Sequence, residues 1–160
     1  MEQKRFNEIY DIYSRKLYNY ALWLTRNKDA ASDIIQVAFV KLWRREKAFI
    51  HEKELEGWLY TVTRNACMDF FRKCSRFASF RLKYARETAL FTEEPKETKS
   101  IWNMLDTLKE KERTILFLHF RTGYSYKKIA DVVDMQESAV RVTAFRALEK
   151  LRKKCAKEIV

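Results

Sequence analysis

The residues best suited to chemistry in this chain lie between Trp58 and Lys73, in the run WLYTVTRNACMDFFRK. Trp58 and Tyr60 offer flat rings. Arg64, Arg72 and Lys73 offer positive charge, and Asn65 offers an amide. This is the chemistry of recognition, not of bond making. Rings stack on unpaired bases, cations track phosphates, and an asparagine amide reads a base edge, which is what single-stranded DNA requires. The run also fits a core helix, with Trp58 and Tyr60 turned inward and Arg64 paired with Asp69.

A second set spans Ser125 to Lys154, SYKKIADVVDMQESAVRVTAFRALEKLRKK. Ser125 stands where a helix N-cap is wanted, and Ile129, Ala130 and Val133 recur at helical spacing. Asp134 and Met135 fill a tight turn. Val140, Ala144, Leu148 and Leu151 then make a second apolar stripe. The small Ala130 lets two helices cross closely. The pattern reads as a helix-turn-helix, which lays its second helix in the DNA major groove. An ordinary helical hairpin carries the same periodicity. A third set is Asp33 and Gln36, three apart and so on one helix face, with Phe39 and Trp43 beside them. Aromatics ringed by polar groups suit a protein interface. A helix packed on both sides, with Asp33 and Gln36 in solvent, has the same spacing.

Bond-making chemistry is not encoded in any comparable way. Cys67, Cys74 and Cys155 have no CxxC spacing, and His51 and His119 are the only histidines, so no zinc site is expected. No glycine-rich phosphate loop, nucleophile triad or paired-carboxylate site stands out. The reading is therefore a protein without catalytic residues or cofactor. Isolated cysteines fit a reducing cytoplasm. No apolar run is long enough to span a membrane, and the N-terminal MEQKRF lacks a signal-peptide core, so a cytoplasmic protein with no membrane insertion is expected. The 33 Lys and Arg against 22 Asp and Glu leave a net charge of +11. Such an excess suits a polyanionic partner, because each neutralised phosphate releases counterions.

The elements that must carry these residues are helices. Gly occurs twice and Pro once, while 47% of residues are hydrophobic, which argues for an all-α protein. Phe6, Ile9, Tyr10, Tyr13, Leu17, Tyr20, Ala21 and Leu24 predict a helix over 5–26. Asn27 caps a second helix at about 28–47, apolar around nearly its whole circumference. Such a helix is central in a core or buried in part by a partner. The segment 46–57 reads as a loop closing on Gly57, and a third helix follows over 57–73. A helix at 76–91 and the polar run TEEPKETKS precede helices at 101–108 and 110–121. The expected organisation is two small helical domains, 1–74 and 101–160, joined by a flexible connector at 75–100, the second ending in the helix-turn-helix.

Together and in this order, LYNYALWLT, AASDIIQVAFVKLW, GWLYTVTRNACMDFFRK and SYKKIADVVDMQESAVRVTAFRALEKLR resemble the extracytoplasmic-function sigma factors of bacteria, within the sigma-70 family. The resemblance covers nearly the whole chain. It implies that residues 1–74 are a region 2-like domain that binds core RNA polymerase and the −10 promoter element. It implies that 101–160 are a region 4-like domain for the −35 element. Asp33, Gln36, Phe39 and Trp43 would then meet the polymerase. The loop 46–57 and the start of the third helix would capture an unpaired −10 base. Trp58, Tyr60, Arg64, Asn65, Arg72 and Lys73 would melt and hold that element. Lys128, Gln136, Glu137, Ala139, Arg141, Val142, Thr143, Phe145 and Arg146 would lie on −35 DNA. An anti-sigma factor is an implied partner beside polymerase and promoter DNA.

The chain departs from that family's usual pattern in places. Val133-Asp134 stands where Leu-Gly is usual, Gln136 where a Ser or Thr cap is usual, and Leu108-Lys109 where Leu-Pro is frequent. Val142 and Thr143 replace positions often Ser and Arg, leaving fewer base-edge donors and more of the specificity to methyl contacts and DNA shape. Two other readings stay open on the residues alone. One is a helix-turn-helix repressor or activator that reads duplex DNA without polymerase. The other is a helical adaptor that binds only protein.

Overall fold

The computed structural model describes residues 2–45, 49, 51–76 and 104–158. Every secondary-structure element among these described residues is helical. Except for Ser75 and Arg76, the expected connector 75–100 falls outside the described residues. So does all but Arg76 of the helix expected at 76–91.

Helix α1 spans Gln3–Thr25 and buries Ile9, Tyr13, Leu17, Tyr20, Ala21 and Leu24, a stripe at three- and four-residue spacing. It ends at Arg26, whose left-handed backbone (φ 54°) lets its N–H close on the Leu22 carbonyl at 2.8 Å. Helix α2, Lys28–Trp43, starts where Asn27 Oδ1 accepts from the Ala30 N–H at 2.9 Å. This satisfies one of the orphan donors at the helix start. α2 ends at Trp43, short of the expected residue 47, and Arg44 caps it.

Helix α3 runs Glu52–Arg76 and begins five residues before Gly57. The expected loop is thus helical over its last six residues. Glu52 and Glu54 lie in the first turn, where the positive end of the helix favours acids. Leu55 and Leu59 bury on one side of Gly57. A mid-helix glycine costs only about 1 kcal/mol relative to alanine, less than these two leucines return.

The C-terminal part begins with α4, Glu110–Leu116. The Lys109 side chain cannot accept a hydrogen bond, so the Glu112 carboxylate caps from inside the helix, accepting the Lys109 N–H at 2.8 Å. A π-helical turn, Phe117–Arg121, continues the chain. Gly123, at φ +75°, reverses it. Helix α5 (Tyr126–Val133) is capped by Ser125 Oγ, which accepts from the Lys128 N–H at 3.2 Å. Asp134 makes the corner with left-handed φ 53° and ψ 58°, the conformation expected of the residue standing for glycine. Helix α6 then runs Glu137–Glu158. Its buried stripe is Val140, Ala144 and Ala147, with Leu148 40% exposed. The small Ala147 takes the inward place expected of Leu148.

The two helical groups share one apolar core. Tyr20 of α1, Tyr60 of α3, Phe117 of the π turn and Tyr124 meet in edge-on and tilted pairs, with centroids 5.2–5.6 Å apart. Aromatic pairs of this kind add about 0.5–1.5 kcal/mol beyond area burial.

Candidate functional site

Three surfaces collect the residues singled out by sequence. On α2, Asp33 and Gln36 are both exposed on one face. Val37, Val40 and Trp43 are exposed as well, each by 43–47%. Phe39 is not part of that surface. It is buried at 4%, with Tyr10 and Phe6 of α1 against its ring at 4.7 and 6.0 Å. Trp43 stays outside but is braced edge-on by Phe6 at 5.1 Å. The result is an apolar strip with a rim of Asp and Gln, supported by α1 from behind.

On α3, Trp58 stands beside Phe49, centroids 5.4 Å apart, and the Arg45 guanidinium lies over both rings at 5.1 and 4.2 Å. Trp58 and Thr61 form one wall of a cleft of about 450 Å³, and Lys128, Asp131 and Val132 of α5 form the other. Asn65, Arg72 and Lys73 are exposed along α3, with Arg72 3.5 Å from Asp69. Tyr60 is not available to a ligand, at 1% exposure between Tyr20 and Tyr124. Burial pushes its hydroxyl up to about 12. Arg64 does not pair with Asp69. Its Nε and Nη2 donate to both carboxylate oxygens of Glu110 on α4, at 2.8 and 3.2 Å.

Gln136, just before α6, and Ala139, Arg141, Val142, Phe145 and Arg146 on it are exposed, with Val142 at 48% and Phe145 at 65%. Glu137 and Thr143 are half-buried. Arg141 is held by Glu137 at 2.7 Å and lies 5.1 Å from the Tyr126 ring. The Thr143 hydroxyl is spent on the Ala139 carbonyl at 2.7 Å. The outward face of α6 thus presents a methyl-bearing, aromatic and basic surface with few free base-edge donors. Lys128, on α5, points the other way and binds Glu56 of α3 at 3.2 Å.

No cluster of three or more metal-ligating side chains occurs among the described residues. Burial raises the Cys67 thiol to about 12, which removes its nucleophilic thiolate.

Comparison with known proteins decides the class. Residues 9–77 match the sequence profile of sigma-70 region 2, and residues 98–151 match that of sigma-70 region 4. The chain belongs to the sigma-70 family. It is similar to the extracytoplasmic-function RNA polymerase sigma factors SigX and SigM of Bacillus subtilis, each at 25% identity. The SigX match covers 94% of this chain and 84% of the relative, and the SigM match 91% and 92%. Its fold is that of the sigma factor RpoE from Bartonella quintana, solved in complex with the anti-sigma factor NepR. The TM-score is 0.74 at 21% identity, covering 94% of this chain and 96% of that one. The protein is an extracytoplasmic-function sigma factor, a promoter-recognising alternative sigma factor for RNA polymerase, with core polymerase and promoter DNA as partners.

Within this sigma factor, local sequence patterns missed the residues that join its two helical groups. Glu110 and Glu56 hold Arg64 and Lys128. Arg26 pairs with Asp106, and the Trp23 indole donates to the Arg113 carbonyl at 3.0 Å. No spacing rule reaches partners this far apart in the chain. The excess of aromatic residues was the one available signal of a second buried junction. No described helix of the sigma factor is long and apolar enough to cross a membrane.

Proposed function

We propose a division of labour between the two helical groups, which correspond to domains 1–74 and 101–160. Asp33, Gln36 and Trp43 bind core RNA polymerase through the exposed strip on α2, while Phe39 supports that strip from inside. Trp58, Arg64, Asn65, Arg72 and Lys73 take the −10 element, melting it and holding one strand. Tyr60 shapes the base of that site from the core. Arg141, Val142, Phe145 and Arg146 lie on the −35 element, with Gln136, Glu137, Ala139 and Thr143 around them; Lys128 joins them on phosphate only once it leaves Glu56 of α3.

The observation that carries this reading is the strip of Val37, Val40 and Trp43. It leaves apolar side chains in solvent on the helix that also presents Asp33 and Gln36. A protein partner is the natural cover for such a surface. An anti-sigma factor is a further proposed partner, supported by the relative whose structure contains one. The reading also places the protein in the cytoplasm, without catalysis of its own.

The test is reconstitution. The purified chain, added to core polymerase, should form a holoenzyme and start transcription at specific promoters of its own genome. Failure to associate with core polymerase would overturn the proposal. Tight, sequence-specific binding to duplex DNA without polymerase would favour a free-standing repressor instead.

A further inference from the structure

Helix α6 is longer than its reading residues need. It spans 22 residues, Glu137–Glu158, or about 33 Å at 1.5 Å per residue. The residues assigned to −35 DNA end at Arg146, so they occupy less than half of it. A major groove is only about 12 Å wide, and a recognition helix meets the bases with its N-terminal residues. The second half of α6 therefore emerges from the groove and passes over the sugar-phosphate backbone, as the C-terminal end of a homeodomain's third helix does.

That second half is anchored on its inner side. Ala147 and Leu151 pack with Leu105, Leu108 and Leu116, and the Cys155 thiol lies 3.4 Å from the Met104 sulfur. The outer side is basic. From Arg141 to Lys157 the helix carries seven basic side chains and one acidic one, Glu149. Arg141 is held by Glu137 at 2.7 Å, Lys150 by Glu112 at 2.6 Å, and Arg152 lies 3.8 Å from Glu149. Arg146, Lys153 and Lys157 differ. All three are exposed, and none makes an ion pair among the described residues. They stand seven and four apart, so they form one ridge in line with Val142. The ridge from Arg146 to Lys157 is about 16 Å long. Glu149 lies beside it, and Arg152 offsets its charge.

We propose that Lys153 and Lys157 form a second, sequence-independent DNA site: they bind backbone phosphates flanking the −35 element, on the same duplex whose bases the first half of α6 reads. This rests on the assignment of α6 to −35 DNA. Arg146 belongs to both the reading face and the ridge, so a duplex held at Arg146 continues past the two lysines. Lysine suits the task, because a compact charge on a flexible stem follows phosphates without needing a two-pronged geometry. Such contacts add affinity on every sequence and discriminate between none. They compensate for a reading face with few free base-edge donors, on which the Thr143 hydroxyl is spent on a carbonyl.

The test uses holoenzyme reconstituted from core polymerase and three full-length versions of the chain. These are the parent, Lys153→Gln with Lys157→Gln, and Lys16→Gln with Lys111→Gln. The last removes the same charge at exposed positions outside the proposed sites. Binding to a duplex promoter at which the parent initiates is measured across a salt series, and hydroxyl-radical footprints map the protected backbone. The ridge variant should bind about tenfold more weakly than the control at low salt, with a log–log salt slope shallower by roughly 1.8, two phosphates at about 0.9 each. The loss should be the same on a duplex with a scrambled −35 element. Its footprint should lose protection at one edge of that element and keep the rest. Equal slopes and footprints for the ridge variant and the control, with the parent protecting the −35 element, would overturn the second site alone. A parent footprint that misses the −35 element would overturn the assignment beneath it. Weaker holoenzyme assembly by the ridge variant with DNA binding unchanged would give the ridge to polymerase instead.

Discussion

The hydroxyl of Tyr20 lies 3.0 Å from Thr114 Oγ1, a hydrogen bond that joins residues 94 apart in sequence and is fully buried. It ties α1 to α4, and through Glu110 it bears on Arg64 of α3. The two changes that break it have different costs. Tyr20→Phe removes one hydroxyl and leaves Thr114 still donating to Glu110, so it should cost about 1 kcal/mol. Thr114→Val strands the Tyr20 hydroxyl in the core and removes a donor from Glu110, so it should cost about 2–3 kcal/mol. Urea unfolding of the two variants checks the order.

Asp33→Ala with Gln36→Ala should weaken holoenzyme formation and leave stability within about 0.5 kcal/mol, because both side chains are exposed. Phe39→Ala should do the reverse in kind. It empties a buried aromatic site and should cost about 3–5 kcal/mol of stability before any effect on polymerase is read. Competition binding to core polymerase, paired with thermal unfolding, separates the two.

Arg141→Ala should lower affinity for −35 DNA. If Arg141 neutralises one phosphate, the log–log dependence on salt should become shallower by roughly 0.9. Glu137→Gln releases the same guanidinium from its 2.7 Å partner and should raise affinity. Fluorescence anisotropy across a salt series measures both.

Asp134→Gly should stabilise the fold. Asp134 carries a side chain at φ 53°, and relieving that strain returns up to about 1–2 kcal/mol, less the extra entropy glycine gains when unfolded. Asp134→Val should destabilise by more, because a β-branched residue tolerates positive φ poorly. Chemical denaturation reports the sign of each.

The stability of the C-terminal group should depend on acid through Glu112. Burial alone would raise its carboxyl. Hydrogen bonds from the Lys150 ammonium and the Lys109 N–H outweigh burial and hold it below the usual range. Its folded value thus lies below its unfolded one. The stabilisation is present above the unfolded value and is lost as pH falls through the folded one. The gap in urea midpoint between the parent and Glu112→Gln should therefore be full near neutrality and shrink toward acid.

Local rules reached much of this molecule. The caps at Asn27 and Ser125, the stripe of α1 and the left-handed corner at Asp134 all follow from single residues or short spacings. Gly57 misled, because a glycine ends a helix only when nothing apolar continues on both sides, and Leu55 and Leu59 do. Phe39 was illegible for another reason. Its spacing put it beside Asp33 and Gln36, but Phe6 and Tyr10 cover it from α1. Leu148 faces out because the inward position next to it needs only Ala147. The Arg64–Glu110 and Lys128–Glu56 pairs connect residues 46 and 72 apart. Their existence depends on how two helical groups meet, which no periodicity within either group encodes.

The π turn at Phe117–Arg121 gives the chain a reserve of length. A π turn holds one residue more than the α-helix around it can use. Removing that residue would restore α geometry and swing everything after it by about 100° about the axis. Phe120, now 64% exposed, would turn toward the interior. A single-residue deletion would re-aim the whole recognition corner relative to α1 and α3.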